Sequence, residues 1–353
     1  MQWTIQVAEG VERMIKINMF SQAESVAGQG VGSAYRELIN MLSKHFSDQL
    51  DIRINEYQPS DITHYHTINF PYYLSALNSR RRGVKVGYVH FLPHTLDGSI
   101  KLVKPARFVL HQYVLAFYRA MDKLVVVNPI FGQELVDQYG FAPDKIKYIP
   151  NFVSKDSFFP MPDQAKANFR QELGYKDSDF IVLGVGQIQK RKGIDDFIAL
   201  AHRYPHIQFL WVGGFSFGKI TDGYEDYKKV YDNPPANLRF AGIVDRNLMN
   251  SYYNIADVFL LPSYNELFPM AILEAFSAHT PVMLRDLDLY HAIIEDYYIP
   301  AKDGDDMGRQ LAQMKAHPDQ LQAYKDLAKQ GSEFYSEDRV AQLWLDFYQS
   351  LIK

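Results

Sequence analysis

Two glutamates with seven residues between them, Glu266 and Glu274, stand in the run PSYNELFPMAILEA at residues 262–275. The first falls in a loop behind an apolar strand, and the second about two turns further on, inside a helix. Carboxylates so placed can accept hydrogen bonds from two different hydroxyl-bearing rings, such as a sugar and a ribose. Glu274 sits between Leu273 and Ala275 in an otherwise apolar helix, unlike an ordinary surface residue, and a charge there requires a partner. A second run, GVGQIQKRKG at 184–193, joins a strand to a helix and carries Lys190, Arg191 and Lys192 in succession. Glycine-rich backbone, helix amides and three cations suit a diphosphate, although alone they describe a solvated basic loop equally well. A third run, Gly28-Gln29-Gly30-Val31-Gly32, follows the first strand and opens a helix. It can bring backbone amides to an anion or serve as a plain tight turn, and its spacing is not the dinucleotide fingerprint.

Those runs need a scaffold that presents strand ends to one crevice. Short β-branched or aromatic runs alternate with helical patterns, as in stacked βαβ units. Strands are predicted at 15–20, 51–55, 62–67, 85–90, 123–127 and 146–149, with helices at 33–46, 105–121 and 130–138. Three prolines between 150 and 162 interrupt the rhythm and mark an interdomain connection. It resumes with strands at 180–185, 207–212, 238–241, 258–261 and 281–284, and helices at 193–204, 246–255 and 270–278. The tail from 303 reads as helical, with Trp344, Phe347 and Leu351 on one stripe. The expected organisation is an N-terminal α/β domain over 1–155, with 1–14 of unassigned role. A C-terminal α/β domain over 156–335 follows, then a helix over 336–353 returning to the first. Ligands of open α/β sheets bind at the carboxyl ends of strands, so a cleft between the domains is the expected site.

Composition narrows the classes. With 353 residues, 47% hydrophobic and 22% charged, the chain has the make-up of a two-domain globular protein. No cysteine occurs, which excludes a disulfide framework and a thiol nucleophile and suits a reducing compartment. Neither a secretory signal nor an 18-residue apolar span is visible, so a cytoplasmic location is expected. Residues 1–150 carry 16 Lys and Arg against 13 Asp and Glu, a net +3, and the remainder 21 against 28, a net −7. An imbalance of that size matters only where the basic residues cluster.

The glycine–basic loop, the entry Ala256-Asp257-Val258 and the two spaced glutamates, in that order, resemble the retaining glycosyltransferases of family 4. The resemblance extends to Gly30 and to His90 at the end of its strand, and covers all but the first fourteen residues. It implies the GT-B fold of two facing Rossmann-like domains and transfer of a hexose from a nucleotide sugar. In that family, the position of Glu266 contacts the transferred sugar and that of Glu274 the ribose. Lys192 would neutralise the diphosphate, with amides near Gly30 completing the cradle, and His90 would lie against the reacting centre. Catalytic roles are thus expected for His90, Lys192 and Glu266, and donor contacts also for Leu267, Phe268 and Pro269. The family usually carries arginine where this chain has Gln187, and Arg191 or Lys190 can supply the missing charge. No covalent nucleophile, cofactor or strict metal requirement is implied, and no nucleic-acid partner.

The acceptor is read from the first half. Lys104, Arg107 and His111 recur at helical spacing, with Lys101 before them and Arg80, Arg81 and Arg82 near in sequence. Phe108, Val109, Tyr113, Leu115 and Phe117 add apolar surface. This is the pattern of an interfacial helix on anionic lipid, and equally of a core helix with a charged edge. The apolar loop Phe91-Leu92-Pro93-His94 favours a lipid acceptor. The chain resembles bacterial synthases that extend monoglucosyl-diacylglycerol by a second hexose for the lipoteichoic acid anchor. That implies UDP-galactose or UDP-glucose as donor and peripheral attachment to the inner face of the membrane. The alternatives are a family 4 enzyme acting on a polysaccharide or wall polymer, and an inactive GT-B protein that binds membrane or a partner.

Overall fold

The computed structural model describes residues 13–22, 30–96, 104–215, 218, 223–266 and 268–352. Gly28, Lys101 and Leu267 lie outside them, as does most of the N-terminal extension. Two six-stranded sheets follow one another along the chain. The first contains β1 (Ile15–Phe20), β2 (Leu50–Ile54), β3 (Ile62–Tyr65), β4 (Val84–Val89), β5 (Lys123–Val126) and β6 (Ile146–Tyr148), in the order β2-β1-β3-β4-β5-β6. The second contains β7 (Ile181–Val185), β8 (Gln208–Val212), β9 (Leu238–Gly242), β10 (Val258–Leu261), β11 (Val282–Arg285) and β12 (Ile299–Ala301), in the order β12-β11-β10-β7-β8-β9. All strand pairings are parallel. Parallel strands are covered on both faces and therefore read as continuous apolar runs; all four residues of β10 are fully buried.

Helices α1 (Gly30–Phe46), α2 (Phe70–Leu77), α3 (Lys104–Arg119) and α4 (Pro129–Asp137) belong to the first sheet. The second carries α5 (Asp163–Glu172), α6 (Ile194–Arg203), α7 (Tyr224–Asp232), α8 (Arg246–Ile255), α9 (Met270–Ser277), α10 (Asp288–His291) and α11 (Gly304–Ala316). The tail continues as α12 (Asp319–Phe334) and α13 (Glu337–Ile352). Sequence periodicity misses α2, α5 and α7 for a physical reason. No residue of α5 is buried and only Tyr227 of α7 is, so neither has an apolar stripe to read, whereas α2 is a short run apolar on most sides.

The order of each sheet reverses once, between β1 and β3 and between β7 and β10, and the crevices beyond those strand ends are the natural ligand sites. The connecting segment is no exposed linker, since Phe152, Val153 and Phe158 are buried. One apolar cluster runs from Ile17 and Leu42 through these residues to Tyr253 and Leu261. Helix α13 leaves the second half and packs against α1, placing Trp344 on the Tyr88 ring and the Tyr348 hydroxyl 2.8 Å from His64 Nδ1.

Candidate functional site: a donor crevice and its neighbours

The loop after β7 owes its shape to two glycines. Gly213, at φ +130°, lies so close to the next turn that a Cβ would stand 1.9 Å from the Gly186 carbonyl. Gly193 is left-handed (φ +71°), and a Cβ there would meet the Pro262 carbonyl at 2.2 Å. Only glycine accommodates both the conformation and the approach. The single turn Lys190–Lys192 is thereby pressed against the end of β10. The consequence is a direct ion pair between Lys192 Nζ and Glu266 Oε1 at 2.5 Å, with 13% and 7% of the side chains exposed. Two sequence-predicted residues 74 positions apart thus meet at the switch point of the second sheet.

Around this pair the loops are braced by further polar contacts. Gln189 donates to Gln187 Oε1 at 2.8 Å and accepts from Arg191 Nε at 3.0 Å. The exposed Arg191 is therefore linked to Gln187 through Gln189. The Tyr264 hydroxyl donates to Asp196 at 2.7 Å, and its ring lies 4.0 Å from the Arg285 guanidinium, itself paired with Asp196. Sequence reasoning missed Tyr264, Asp196 and Arg285, because no spacing links them.

Glu274 is buried in α9 and fully partnered. Arg246 Nη1 donates to Oε1 at 3.0 Å and the Tyr253 hydroxyl to Oε2 at 2.7 Å. Burial and then the Glu274 charge push the Tyr253 hydroxyl well above its ordinary pKa, so it remains a donor. Arg246 is also desolvated, but Glu274 and Glu37 outweigh that and hold its pKa above the usual value. Arg246 left one signal in the sequence: a cation in the first turn of a helix opposes the helix dipole, and such local violations mark partnered or functional positions.

The Phe268 ring is 97% buried against Tyr335, with centroids 5.2 Å apart, so only its backbone can face a donor. Its carbonyl accepts from Asn151 Nδ2 at 3.3 Å, and Asn151 Oδ1 accepts from the Tyr88 hydroxyl at 3.2 Å. That chain ties the loop after β10 to the first sheet. Pro269 caps α9 and is half-buried, while Gly30 is the first residue of α1.

His90 follows β4, its ring 4.4 Å from Tyr88, and its Nε2 is buried without a hydrogen bond among the described residues. It belongs to a cluster with His64 and His66, whose rings are 4.1 Å apart. Both nitrogens of His66 and Nε2 of His64 also lack partners among the described residues. Burial, helped by His90, lowers the His64 pKa to about 3; burial alone lowers His90 to about 3. Burial, then His64 and His90, depresses His66 as well. These rings are neutral at ordinary pH. No group of three or more His, Cys, Asp or Glu among the described residues has metal-ligand geometry.

On the outer face of the first half, Lys104, Arg107, Phe108 and Val109 of α3 are exposed and His111 is half-buried. Leu115 and Phe117 are core residues, and Tyr113 packs against Tyr73 of α2, so the apolar surface of α3 is smaller than its composition suggests. Helix α2 adds Phe70, Leu74 and Leu77, all exposed. Arg80 and Arg81 are exposed, but Arg82 is buried under Phe20 and Tyr57 and is structural. Leu92 and Pro93 are buried too, so the apolar loop after His90 serves packing. No helix among the described residues is long and apolar enough to cross a membrane.

Comparison with known proteins agrees with this geometry. Residues 165–334 match the model for glycosyl transferases group 1, and residues 27–157 that for glycosyltransferase family 4. An alpha-galactosylglucosyldiacylglycerol synthase of Streptococcus pneumoniae is 51% identical over 338 residues, 96% of this chain and 90% of that protein. A processive diacylglycerol alpha-glucosyltransferase of Acholeplasma laidlawii is 28% identical over 48% of this chain and 49% of its own length. Among solved structures, Anabaena HepE in complex with UDP and glucose superposes with TM-score 0.74 at 14% identity, covering 95% of this chain and 100% of that one. Sucrose-phosphate synthase of Thermosynechococcus elongatus gives 0.75 at 17%, covering 96% and 99%. With one relative matching at 51% along nearly its whole length and two parallel sheets arranged as in these structures, the chain belongs to the family 4 glycosyltransferases of GT-B fold, and it is a hexosyltransferase.

Proposed function

We propose that the enzyme transfers a hexose from a UDP-sugar to monoglucosyl-diacylglycerol, with retention of anomeric configuration, while attached peripherally to the inner face of the membrane. The observation that carries the reading is the Lys192–Glu266 pair at the switch point, with the buried Glu274 two turns deeper. Before the donor arrives, Lys192 neutralises Glu266. A diphosphate carries more charge than one carboxylate and draws the ammonium to itself, which frees Glu266 to accept hydroxyls of the sugar. Glu274 accepts ribose hydroxyls, and the amides at Gly30 face the phosphates. As the glycosidic bond breaks, negative charge grows on the leaving diphosphate, where Lys192, Arg191 and helix amides are already in place. Preorganised donors of this kind stabilise a developing anion without moving. The acceptor hydroxyl attacks on the face the diphosphate leaves, close to His90, and passes its proton to the departing phosphate oxygen as the new glycosidic bond forms, and no metal or cofactor is required. The S. pneumoniae relative is named for a galactosylglucosyl product, which favours galactose over glucose as the transferred sugar.

The acceptor assignment draws support from the exposed face of α2 and α3. Phe70, Leu74 and Leu77 of α2, Phe108 and Val109 of α3, and the cations Arg81, Lys104 and Arg107 are all exposed, and exposed apolar side chains together with cations suit acyl chains and anionic headgroups. The test is a radiolabelled transfer assay with UDP-glucose and UDP-galactose against diacylglycerol and monoglucosyl-diacylglycerol in anionic vesicles. Product from monoglucosyl-diacylglycerol alone is expected. Equal activity on a soluble polysaccharide acceptor, without dependence on vesicles, overturns the lipid assignment.

A further inference from the structure

Helix α8 turns one face toward the segment that joins the two halves. Arg246, Asn250 and Asn254 recur every four residues and so lie on that face. Asn250 Oδ1 accepts from the Phe159 amide at 3.1 Å and Asn254 Oδ1 from the Met161 amide at 2.7 Å. Asn254 Nδ2 donates to the Phe159 carbonyl at 2.9 Å. The Arg246 guanidinium lies 5.2 Å from the Phe158 ring. One face of one helix thus fixes the connecting segment at four points. Arg246 also reaches beyond it: Nη1 binds Glu274 Oε1 at 3.0 Å, and Nη2 binds Glu37 Oε1 of α1, in the other half of the molecule, at 2.9 Å. Both carboxylates are at least nine-tenths buried. Neutralising Glu274 alone would need no contact with α1.

We propose that Arg246 is a positioning residue that couples nucleotide binding to the placement of the two domains. The coupling runs from Glu274 through the guanidinium to Glu37, and this rests on the reading of Glu274 as the ribose ligand. Glu37 lies seven residues from Gly30, or about 10 Å along a rigid helix at 1.5 Å per residue. Anchoring Glu37 therefore fixes where the first amides of α1 stand relative to the diphosphate. Ribose hydroxyls donating to Glu274 draw its negative charge toward the nucleotide. More of the Arg246 charge is then left for Glu37, and the contact between domains tightens when the donor is bound. Two ends of one nucleotide then hold the same helix, the phosphates directly and the ribose through Arg246.

The test compares uridine, which has the ribose but no phosphate, with UDP. In Glu37→Gln, which keeps the shape and a hydrogen bond to Arg246, UDP affinity should fall about fivefold or more, the usual scale of coupling between sites. Uridine affinity should fall too, by a smaller factor, because a contact that the ribose strengthens must in turn strengthen ribose binding, and kcat should fall by a similar factor to UDP affinity. Arg246→Lys, able to reach only one carboxylate, should show the same selective loss of the phosphate increment. A purely structural role would lower the melting temperature and leave the UDP-to-uridine ratio unchanged, and that ratio unchanged in both variants overturns the proposal. Glu274→Gln separates the underlying reading: it should weaken uridine and UDP alike, and unaltered binding of both would remove the ribose assignment itself.

Discussion

At the switch point of the second sheet, charges meet charges: Lys192 faces Glu266, Arg246 faces Glu274, and Arg285 faces Asp196. In the first sheet, His64 within β3, His66 just after it and His90 just after β4 form a group of neutral rings packed on Tyr88 and Trp344. The two crevices share a topology but not a chemistry. A site for a charged nucleotide has to be built from ions that compensate one another while it is empty, because an unpaired buried charge is prohibitively costly. Neutral imidazoles need no counterion, so these rings stay buried with ring nitrogens that have no hydrogen bond among the described residues. The outer faces differ in the same sense. Helices α2 and α3 leave five large apolar side chains in water, and α3 also exposes Lys104 and Arg107.

The sharpest way to break the comparison is at Lys192. Lys192→Ala should lower kcat by about 10²–10³, the usual loss when one preorganised donor to a developing anion is removed. A kcat within threefold of the parent enzyme would mean the charged crevice does not stabilise the leaving group. Next comes Glu274→Ala, which removes charge-assisted hydrogen bonds worth about 1.5–3 kcal/mol. Calorimetry should show UDP binding weakened by about ten- to a hundredfold, and unchanged affinity would make Glu274 a structural partner of Arg246 and Tyr253 only.

The outer face is tested by vesicle sedimentation. Leu74→Asp should lower partition onto anionic vesicles by about tenfold or more, from the loss of ~1.5 kcal/mol or more of apolar burial. Neutralising Lys104 and Arg107 should cost about 1 kcal/mol each, and less in high salt. Donor hydrolysis should survive both changes, and unaltered partition would refute a membrane role for this face.

The histidine cluster is the gentlest probe, through pH. Native pKa values near 3 for His64 and His90 lie below the unfolded value near 6.5. The unfolded chain therefore takes up protons that the native state refuses. Stability from these rings is complete above pH 6.5 and drains away as pH falls toward 3, by about 1.4 kcal/mol per pH unit for each ring. His66→Phe should flatten the fall in melting temperature between pH 6.5 and 5, and an unchanged slope would show that His66 does not titrate with the others.

Much of the second half is legible in its sequence, and less of the first. The turn at Lys190–Lys192, Gly193 and Glu266 lie beside predicted strand and helix ends and Glu274 within a predicted helix, so their neighbourhoods follow from local pattern. The same reasoning overstated α3, because periodicity does not say which apolar side of a helix meets the core. It overlooked α2, whose three exposed apolar residues carry most of the outer face. It also counted Arg82 in a basic run and gave no sign that the Phe268 ring packs on Tyr335. Both side chains turn inward for packing that no spacing announces.

By itself the sequence determined the alternating α/β elements and the glycines that bend the loops. It also set the residue types that suit phosphate and hydroxyl at strand ends, since all of these depend on neighbours along the chain. Only the tertiary structure decided who is paired with whom. Lys192 finds Glu266 across 74 residues, Arg246 finds Glu37 across 209, and His64 finds Tyr348 across 284. Such meetings depend on strand order and on where α13 returns, and burial makes the ionic ones necessary, because a charge taken from water must be compensated by whatever the fold brings beside it.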